Sequence, residues 1–299
     1  MNGTSAHYQH GWYKLAFVRD LKDELTPATV GERRFVIIRT TDGIRVVDAD
    51  CPHRGAHLGY GGMVEGNCII CPFHRYRIGF GQAQVGDFQV HEYESFVIGG
   101  SVYVRLSETY ANGFVERMRE LSEDHTIHAG FTMDIKCPPE IIIENGFDNT
   151  HFRPVHGVNA GQFVPEREQS GSLRVDSYFL YPKAQEVNGA LGKTTLRLNA
   201  FSPYLSVAQL GGGMPMTFIT SVNPIDKGLT RLRFSLGLPK KIYGDPPTPL
   251  VLEKVLQGNR SGIQCDVVIW ENMSFTSPRK HTSLDAAALA FEAFCHEFV

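Results

Sequence analysis

Apolar positions follow a strand-like period in two regions of the chain and a helix-like period in three. From Arg34 to Arg39 the chain alternates weakly and is rich in Phe, Val and Ile; Asp42-Gly43 follows, then Ile44 to Val47. An Asp-Gly between two β-prone runs predicts a hairpin. Asn67 to Cys71 predicts a short strand, and Phe96 to Ile98, Gly99-Gly100 and Val102 to Leu106 predict a second hairpin. Short strands joined by tight turns indicate a small all-β domain, 1–106. Phe114, Val115, Met118 and Leu121 then recur at helical spacing, which predicts one helix in a connecting stretch, 107–129. In the remainder, 130–299, Gly130 to Cys137 reads as extended until Pro138-Pro139 stops it. From Leu173 to Leu238 the β pattern returns, most clearly as Met214 to Val222 and Leu229 to Leu238 around a turn at 224–228. Met214, Met216 and Phe218 share one strand face, where core packing is the default and a pocket the alternative. Beyond the proline-rich 239–249, a long helix begins near Thr248. Leu252, Val255, Leu256, Ile263, Val267 and Trp270 form its stripe, and Gly258 and Gly262 weaken its middle. A last helix spans Ser283 to Phe298.

Composition narrows the function classes. The chain has 299 residues, 42% apolar and 20% charged, with a formal net charge of -3 and a pI near 6.5. That balance gives no electrostatic attraction to nucleic acid or to anionic membranes. No apolar run reaches spanning length, and Met1 to His10 lacks a signal-peptide core, so a cytoplasmic protein is expected. Of six cysteines, Cys68, Cys137, Cys265 and Cys295 show no framework spacing and are expected as free, mostly buried thiols.

The other two cysteines carry chemistry. Cys51-Pro52-His53 and Cys71-Pro72-Phe73-His74 form C-x-H, seventeen residues, then C-x-x-H. A Rieske [2Fe–2S] centre needs two thiolates on one iron and two imidazoles on the other, and each loop offers one of each. The rival is a Cys2His2 zinc site. Zinc-finger spacing pairs Cys with Cys and His with His, unlike these mixed loops. Glycines at 55, 59, 61, 62 and 66 allow backbone N–H groups to approach sulfur.

A second constellation lies in Asn145 to His156. On a helix, Asp148 and His151 would share a face, and Pro154 would bend the chain so that His156 returns beside His151. Two imidazoles and one carboxylate from elsewhere would make the facial triad of a non-haem Fe(II) oxygenase. His57, His91, His125, His128, His281 and His296 have no partners at metal spacing, and His7 and His10 belong to a loose N-terminal stretch.

Together these motifs resemble the α-subunit of Rieske non-haem iron oxygenases. The resemblance rests on Cys51-Pro52-His53-Arg54-Gly55-Ala56, Cys71-Pro72-Phe73-His74 and Asp148-x2-His151-x4-His156, with Gly11-Trp12-Tyr13 near the start. Gln264-x-Asp266-x2-Ile269-Trp270 is similar to the tail of the ketosteroid hydroxylase and cholesterol desaturase branch. The resemblance implies an α+β architecture: an N-terminal all-β Rieske domain, then a helix-grip catalytic domain whose curved antiparallel sheet wraps the long C-terminal helix. It implies Asp266 as the third iron ligand, with Asp285 and Asp245 as alternatives by residue type. It also implies that Asp148 meets His74 or His53 of a neighbouring chain in a homotrimer. Asn145 matches a polar residue that orders the same segment. One departure is Arg75-Tyr76 after His74, where the family usually has Gly-Trp.

The cofactors expected are therefore a [2Fe–2S] cluster and a mononuclear Fe(II). No nucleotide-binding fingerprint is present, and Gly211-Gly212-Gly213 lacks the strand-to-helix context. Electrons are thus expected from an NAD(P)H-dependent reductase or ferredoxin. The expected reaction is monooxygenase or dioxygenase chemistry, with O2, on a mostly apolar steroid-like, polycyclic or natural-product substrate. Oxidative demethylation or cyclisation on the same iron is the alternative, followed by an electron carrier with a vestigial second domain.

Overall fold

Backbone hydrogen bonds gather the strands into three small sheets and one large sheet. The computed structural model describes residues 10–81, 86–107, 112–181 and 192–299. His7 lies outside them. The described chain divides into two compact units, one from Trp12 to Ser107 and the other holding His10, Gly11 and the residues from Asn112 onward.

The first unit is all β. Its strands are β1 (Trp12–Phe17), β2 (Leu25–Val30), β3 (Arg33–Thr40), β4 (Gly43–Asp48), β5 (Met63–Glu65) and β6 (Cys68–Ile70). They continue as β7 (Arg77–Gly79), β8 (Phe88–Gln89), β9 (Glu92–Tyr93), β10 (Ser95–Ile98) and β11 (Ser101–Arg105). They form sheets in the orders β1-β11-β10, β2-β3-β4-β9 and β5-β6-β7-β8. The β10–β11 turn is Gly99-Gly100, both with positive φ of 55° and 68°, as a type I′ hairpin requires. The β3–β4 turn falls one residue earlier than expected: Gly43 pairs with Thr40, leaving Thr41-Asp42 at the tip. Val36, Ile38, Val47, Leu58, Ile69, Ile78 and Phe80 form a core that also takes in Cys51 and Cys71.

The second unit begins with α1 (Phe114–Asp124) and β12 (His125–Ile135), followed by α2 (Pro139–Glu144) and α3 (Phe152–His156). Strands β13 (Asn159–Ala160), β14 (Val164–Arg167), β15 (Leu173–Leu180), β16 (Lys193–Ser202), β17 (Leu205–Gly211), β18 (Met216–Asp226) and β19 (Leu229–Pro239) come next. Helices α4 (Lys240–Tyr243), α5 (Pro249–Trp270) and α6 (Ala286–His296) close the chain. The large sheet is antiparallel, in the order β12-β19-β18-β17-β16-β15-β13, with β14 on β15. The β18–β19 turn is tighter than the sequence suggests. Both strands run on to Asp226 and Leu229, and Lys227-Gly228 makes the whole turn, with Gly228 at φ 70°.

Helix α5 starts where its capping chemistry dictates. Thr248 Oγ1 accepts from the Val251 N–H at 3.4 Å, and Pro249 occupies the first turn, where its missing N–H costs nothing. Phe291 of α6 stacks on Phe147 with ring centroids 5.0 Å apart, fixing the segment that leads into α3.

Pro154 does not act as the sequence suggests. It sits inside α3 as the third helical residue, where its N–H would have no partner in any case. The break comes earlier: Asn145–Phe147 is a 3-10 turn, and Asp148 is extended at φ -95°, ψ 107°. His151 therefore stands at the N-cap of α3 and His156 is its last residue, before Gly157 at φ 68°.

Candidate functional site

The two ligand loops of the first unit have the same backbone design. Cys51 N donates to Ala56 O at 2.9 Å, and Gly55 N to Cys51 O at 2.8 Å. Cys71 N donates to Tyr76 O at 2.9 Å, and Arg75 N to Cys71 O at 3.0 Å. Each loop thus turns back on its own cysteine and lifts one histidine away from it. Both sulfurs are buried, at 3% and 1% exposure, whereas both imidazoles reach the surface. His53 Nδ1 and His74 Nδ1 lie 3.2 Å apart, their rings crossing at 76°. Burial is the main cause that raises the Cys51 thiol pKa above its ordinary value, and the neighbouring Cys71 adds to it. Two converging sulfurs below two converging imidazole nitrogens are the donor set of a [2Fe–2S] centre with mixed ligation. His57 is not part of this set: its Nδ1 accepts from the Gly59 N–H at 3.1 Å.

In the second unit, His151, His156 and Asp266 offer one ligand atom each, all within 4.8 Å of one another. Asp266 Oδ1 is 3.2 Å from His156 Nε2 and 4.0 Å from His151 Nε2. Its carboxylate is 9% exposed, and among the described residues the ionisable groups within 4.0 Å of it are these two imidazoles. A buried carboxylate without a cationic partner is costly, and a divalent ion among these three groups compensates it. Burial, the largest cause, lowers the His151 pKa, with Asp266 and Asp148 opposing it. His151 is thus held neutral, as a metal ligand requires.

His151 is oriented by its other nitrogen. Its Nδ1–H donates to the backbone carbonyl of Asp148 at 2.7 Å, which leaves Nε2 as the lone-pair donor. The Asp148 carboxylate is otherwise engaged. Its Oδ1 accepts from Thr150 N at 2.8 Å and Thr150 Oγ1 at 2.6 Å, while its Oδ2 is 3.7 Å from His151 Nδ1. Asn145 reaches further into the site than expected, with Nδ2 3.2 Å from His151 Nε2. The alternatives to Asp266 are committed elsewhere. Asp245 accepts from Thr126 Oγ1 at 2.9 Å, and Asp285 accepts from Thr282 N at 2.5 Å.

Two hollows meet at this triad. The larger, about 640 Å³, is floored by alternate residues of the sheet, among them Leu196, Leu198, Ala208, Leu210, Phe218 and Phe234. One face of α5 roofs it, where Gly258 and Gly262 leave open space: a Cβ on either meets nothing within 4 Å. Phe218 therefore lines the cavity, while Met216 is buried and Met214 is exposed. No Lys or Arg lines it among the described residues. The smaller hollow, about 200 Å³, holds Glu144, Asn145, Asp148, Ile269 and Met273, and also reaches His151 and Asp266. Sequence reasoning missed Ser206, Thr220 and Asn259 in the cavity wall, for which strand alternation and helix phase are the only signals. Cys68, Cys137 and Cys295 are buried and form no disulfide, in keeping with the expectation of mostly buried thiols, whereas Cys265 is exposed and lines the cavity.

Comparison with known proteins places these features together. Residues 11–96 match the family model for the Rieske [2Fe-2S] domain, and 108–287 that for the 3-ketosteroid 9alpha-hydroxylase C-terminal domain. A cholesterol 7-desaturase from Hemicentrotus pulcherrimus is 31% identical over 175 residues, which are 52% of this chain and 37% of that protein. The chain thus matches well under two thirds of that relative. A second cholesterol 7-desaturase, from Ciona intestinalis, is 33% identical over 344 residues, covering 97% of this chain and 68% of the relative. A crystal structure of dicamba monooxygenase bound to dicamba superposes with a TM-score of 0.71 at 13% identity, covering 97% of both chains. No described helix is long and apolar enough to cross a membrane.

Proposed function

Because the chain belongs to the Rieske non-haem iron oxygenases, with a C-terminal domain of the 3-ketosteroid 9alpha-hydroxylase type, we propose that it hydroxylates or desaturates a neutral steroid-like molecule. In this reading O2 is the oxidant, and electrons come from a separate reductase or ferredoxin. The observation that carries the reading is the His151–His156–Asp266 triad opening on a mostly apolar cavity of about 640 Å³ that no Lys or Arg lines among the described residues. That volume suits a rigid polycyclic molecule. Among the described residues no Lys or Arg offers an anionic substrate a counter-charge there.

The family's two cofactors are a [2Fe–2S] cluster and a mononuclear iron. Cys51, His53, Cys71 and His74 would hold the cluster, and His151, His156 and Asp266 the single iron. Bound there, the iron supplies a Lewis-acidic centre with open positions for O2. The chain's own residues do the rest. Asp148 fixes the His151 tautomer through its carbonyl. The apolar wall excludes water and orients the substrate, while Asp148 and Glu144 make the opposite side of the triad polar. We read the Asp148 side as the one that faces the reducing centre of a neighbouring chain in a homotrimer. An electron carrier with a vestigial second domain fits less well, because a carrier needs neither the triad nor the cavity.

The test is direct. The iron-loaded protein is supplied with a surrogate NADH-driven reductase, O2 and either cholesterol or a 3-ketosteroid. Product mass gains one oxygen on hydroxylation or loses two hydrogens on desaturation. Asp266→Ala should keep cluster iron, lose the mononuclear iron and give no product. NADH consumption that never changes a steroid refutes the substrate class, and an active Asp266→Ala refutes the ligand set.

A further inference from the structure

Ser206 on β17 and Thr220 on β18 are directly opposite each other in the sheet register, with side chains on the cavity face. Facing cross-strand residues hold their Cβ atoms about 4.5–5.5 Å apart, so the two hydroxyls can reach one atom between them. The rest of their row is apolar: Phe234 pairs with Thr220, and Ala200 with Ser206. Ser206 is only 7% exposed, and what it exposes faces the cavity. Among the described residues neither hydroxyl has a hydrogen-bond partner. Neither oxygen is among the fully enclosed unpartnered atoms, so both are open to the cavity, and Ala or Val would fill the same positions without a polar atom to satisfy. Two adjacent unpaired hydroxyls in an apolar floor therefore call for a ligand atom.

We propose that Ser206 and Thr220 form the polar anchor of the substrate cavity and bind one neutral oxygen substituent, a ring carbonyl or hydroxyl, of the polycyclic substrate. This rests on the steroid-like reading above and adds how the molecule is held. Two hydroxyls can both donate to the two lone pairs of a carbonyl, or share donor and acceptor roles with an alcohol. A carboxylate is disfavoured, since no basic residue lines the cavity among those described. Asn259 is a different polar feature. Its Nδ2 is tied to Val255 O at 2.8 Å and lies 3.9 Å from Met216 Sδ, and Met216 is four residues along β18 from Thr220, about 13 Å at strand rise.

The experiment compares cholestenone with cholestene, the same skeleton without the oxygen, for binding to the iron-loaded protein under argon. Trp270 lines the cavity and its fluorescence reports occupancy without turnover. Wild type should bind cholestenone roughly 10-fold or more tightly than cholestene. Ser206→Ala and Thr220→Val should each weaken cholestenone roughly 3- to 10-fold and leave cholestene unchanged, and the double variant should bind both alike. Discrimination is a ratio within one protein, so a variant of lowered stability remains informative. Equal binding of the two sterols by wild type overturns the anchor while leaving the steroid reading standing. Discrimination that survives the double variant but is lost in Asn259→Ala also overturns it. Failure of both sterols to bind overturns the substrate class and the anchor with it.

Discussion

Gly55 and Arg75 occupy the same left-handed position in the two cluster loops, with φ of 69° and 62°. Each donates its N–H to the carbonyl of its loop's cysteine. Arg75 is the non-glycine residue with positive φ among the described residues, where the family usually places glycine. An L side chain in that conformation costs about 1–2 kcal/mol. Arg75→Gly should therefore raise the stability of the cluster-loaded protein by roughly 1 kcal/mol. Gly55→Ala should lower it by roughly as much through the backbone alone, because a Cβ there meets nothing within 4 Å. Thermal melting followed at the cluster's visible absorbance checks both. Arg75→Gly melting below wild type would show that the guanidinium compensates by a contact of its own.

Asp148 separates two roles by using two different oxygens. Its backbone carbonyl orients His151, and its carboxylate serves Thr150. Asp148→Asn leaves the carbonyl in place, so iron content should match wild type at both centres. Turnover should nonetheless fall by 10-fold or more on the order of a lost charged contact, if the carboxylate faces the reducing centre. Single-turnover oxidation of the reduced protein is the decisive measurement. Loss of the mononuclear iron would instead assign the carboxylate to His151.

Gly262 has a different use from the one its helix position suggests. It costs α5 helical stability so that the cavity keeps its room. Gly262→Ala should stabilise the protein by up to about 1 kcal/mol. Gly262→Leu should fold as well but bind a steroid at least roughly 10-fold more weakly by filling the cavity. Melting temperature and equilibrium titration together check the pair; unchanged affinity in Gly262→Leu would place the substrate elsewhere.

Acid should weaken the second unit through β12. His125 and His128 are both held below the ordinary imidazole pKa, chiefly by burial. His125 Nδ1 and His128 Nε2 are buried without a partner among the described residues. Above the unfolded value of about 6.5 both states are neutral and pH has no effect through these groups. Below it the unfolded chain binds protons first, so the stability present at higher pH is lost as pH falls. Melting temperature should decline between about pH 7 and pH 5, and His128→Gln should flatten that slope. An unaltered slope would refute the assignment.

Much of this was legible in the sequence because chemistry fixes it locally. The mixed Cys/His loops, the His151–His156 spacing and the long helix carrying Asp266 all appear as spacings, and the resemblance joined them. What was not legible depends on the register of distant strands. Ser206 and Thr220 matter only because β17 and β18 pair them on the inner face, fourteen residues apart in sequence. Pro154 misled for a related reason. A proline breaks a helix only in its interior, and the start of α3 could not be located without knowing that Asp148 is extended.

His151 and Asp266 are reached from an apolar side and from an acidic side. Blocking one is not blocking the other. A compound wedged among the apolar walls would fill the larger hollow yet leave the Asp148 face accessible, so ligands of this protein should be sorted by which approach they obstruct. Those that obstruct only the first would leave the acidic approach to His151 and Asp266 open.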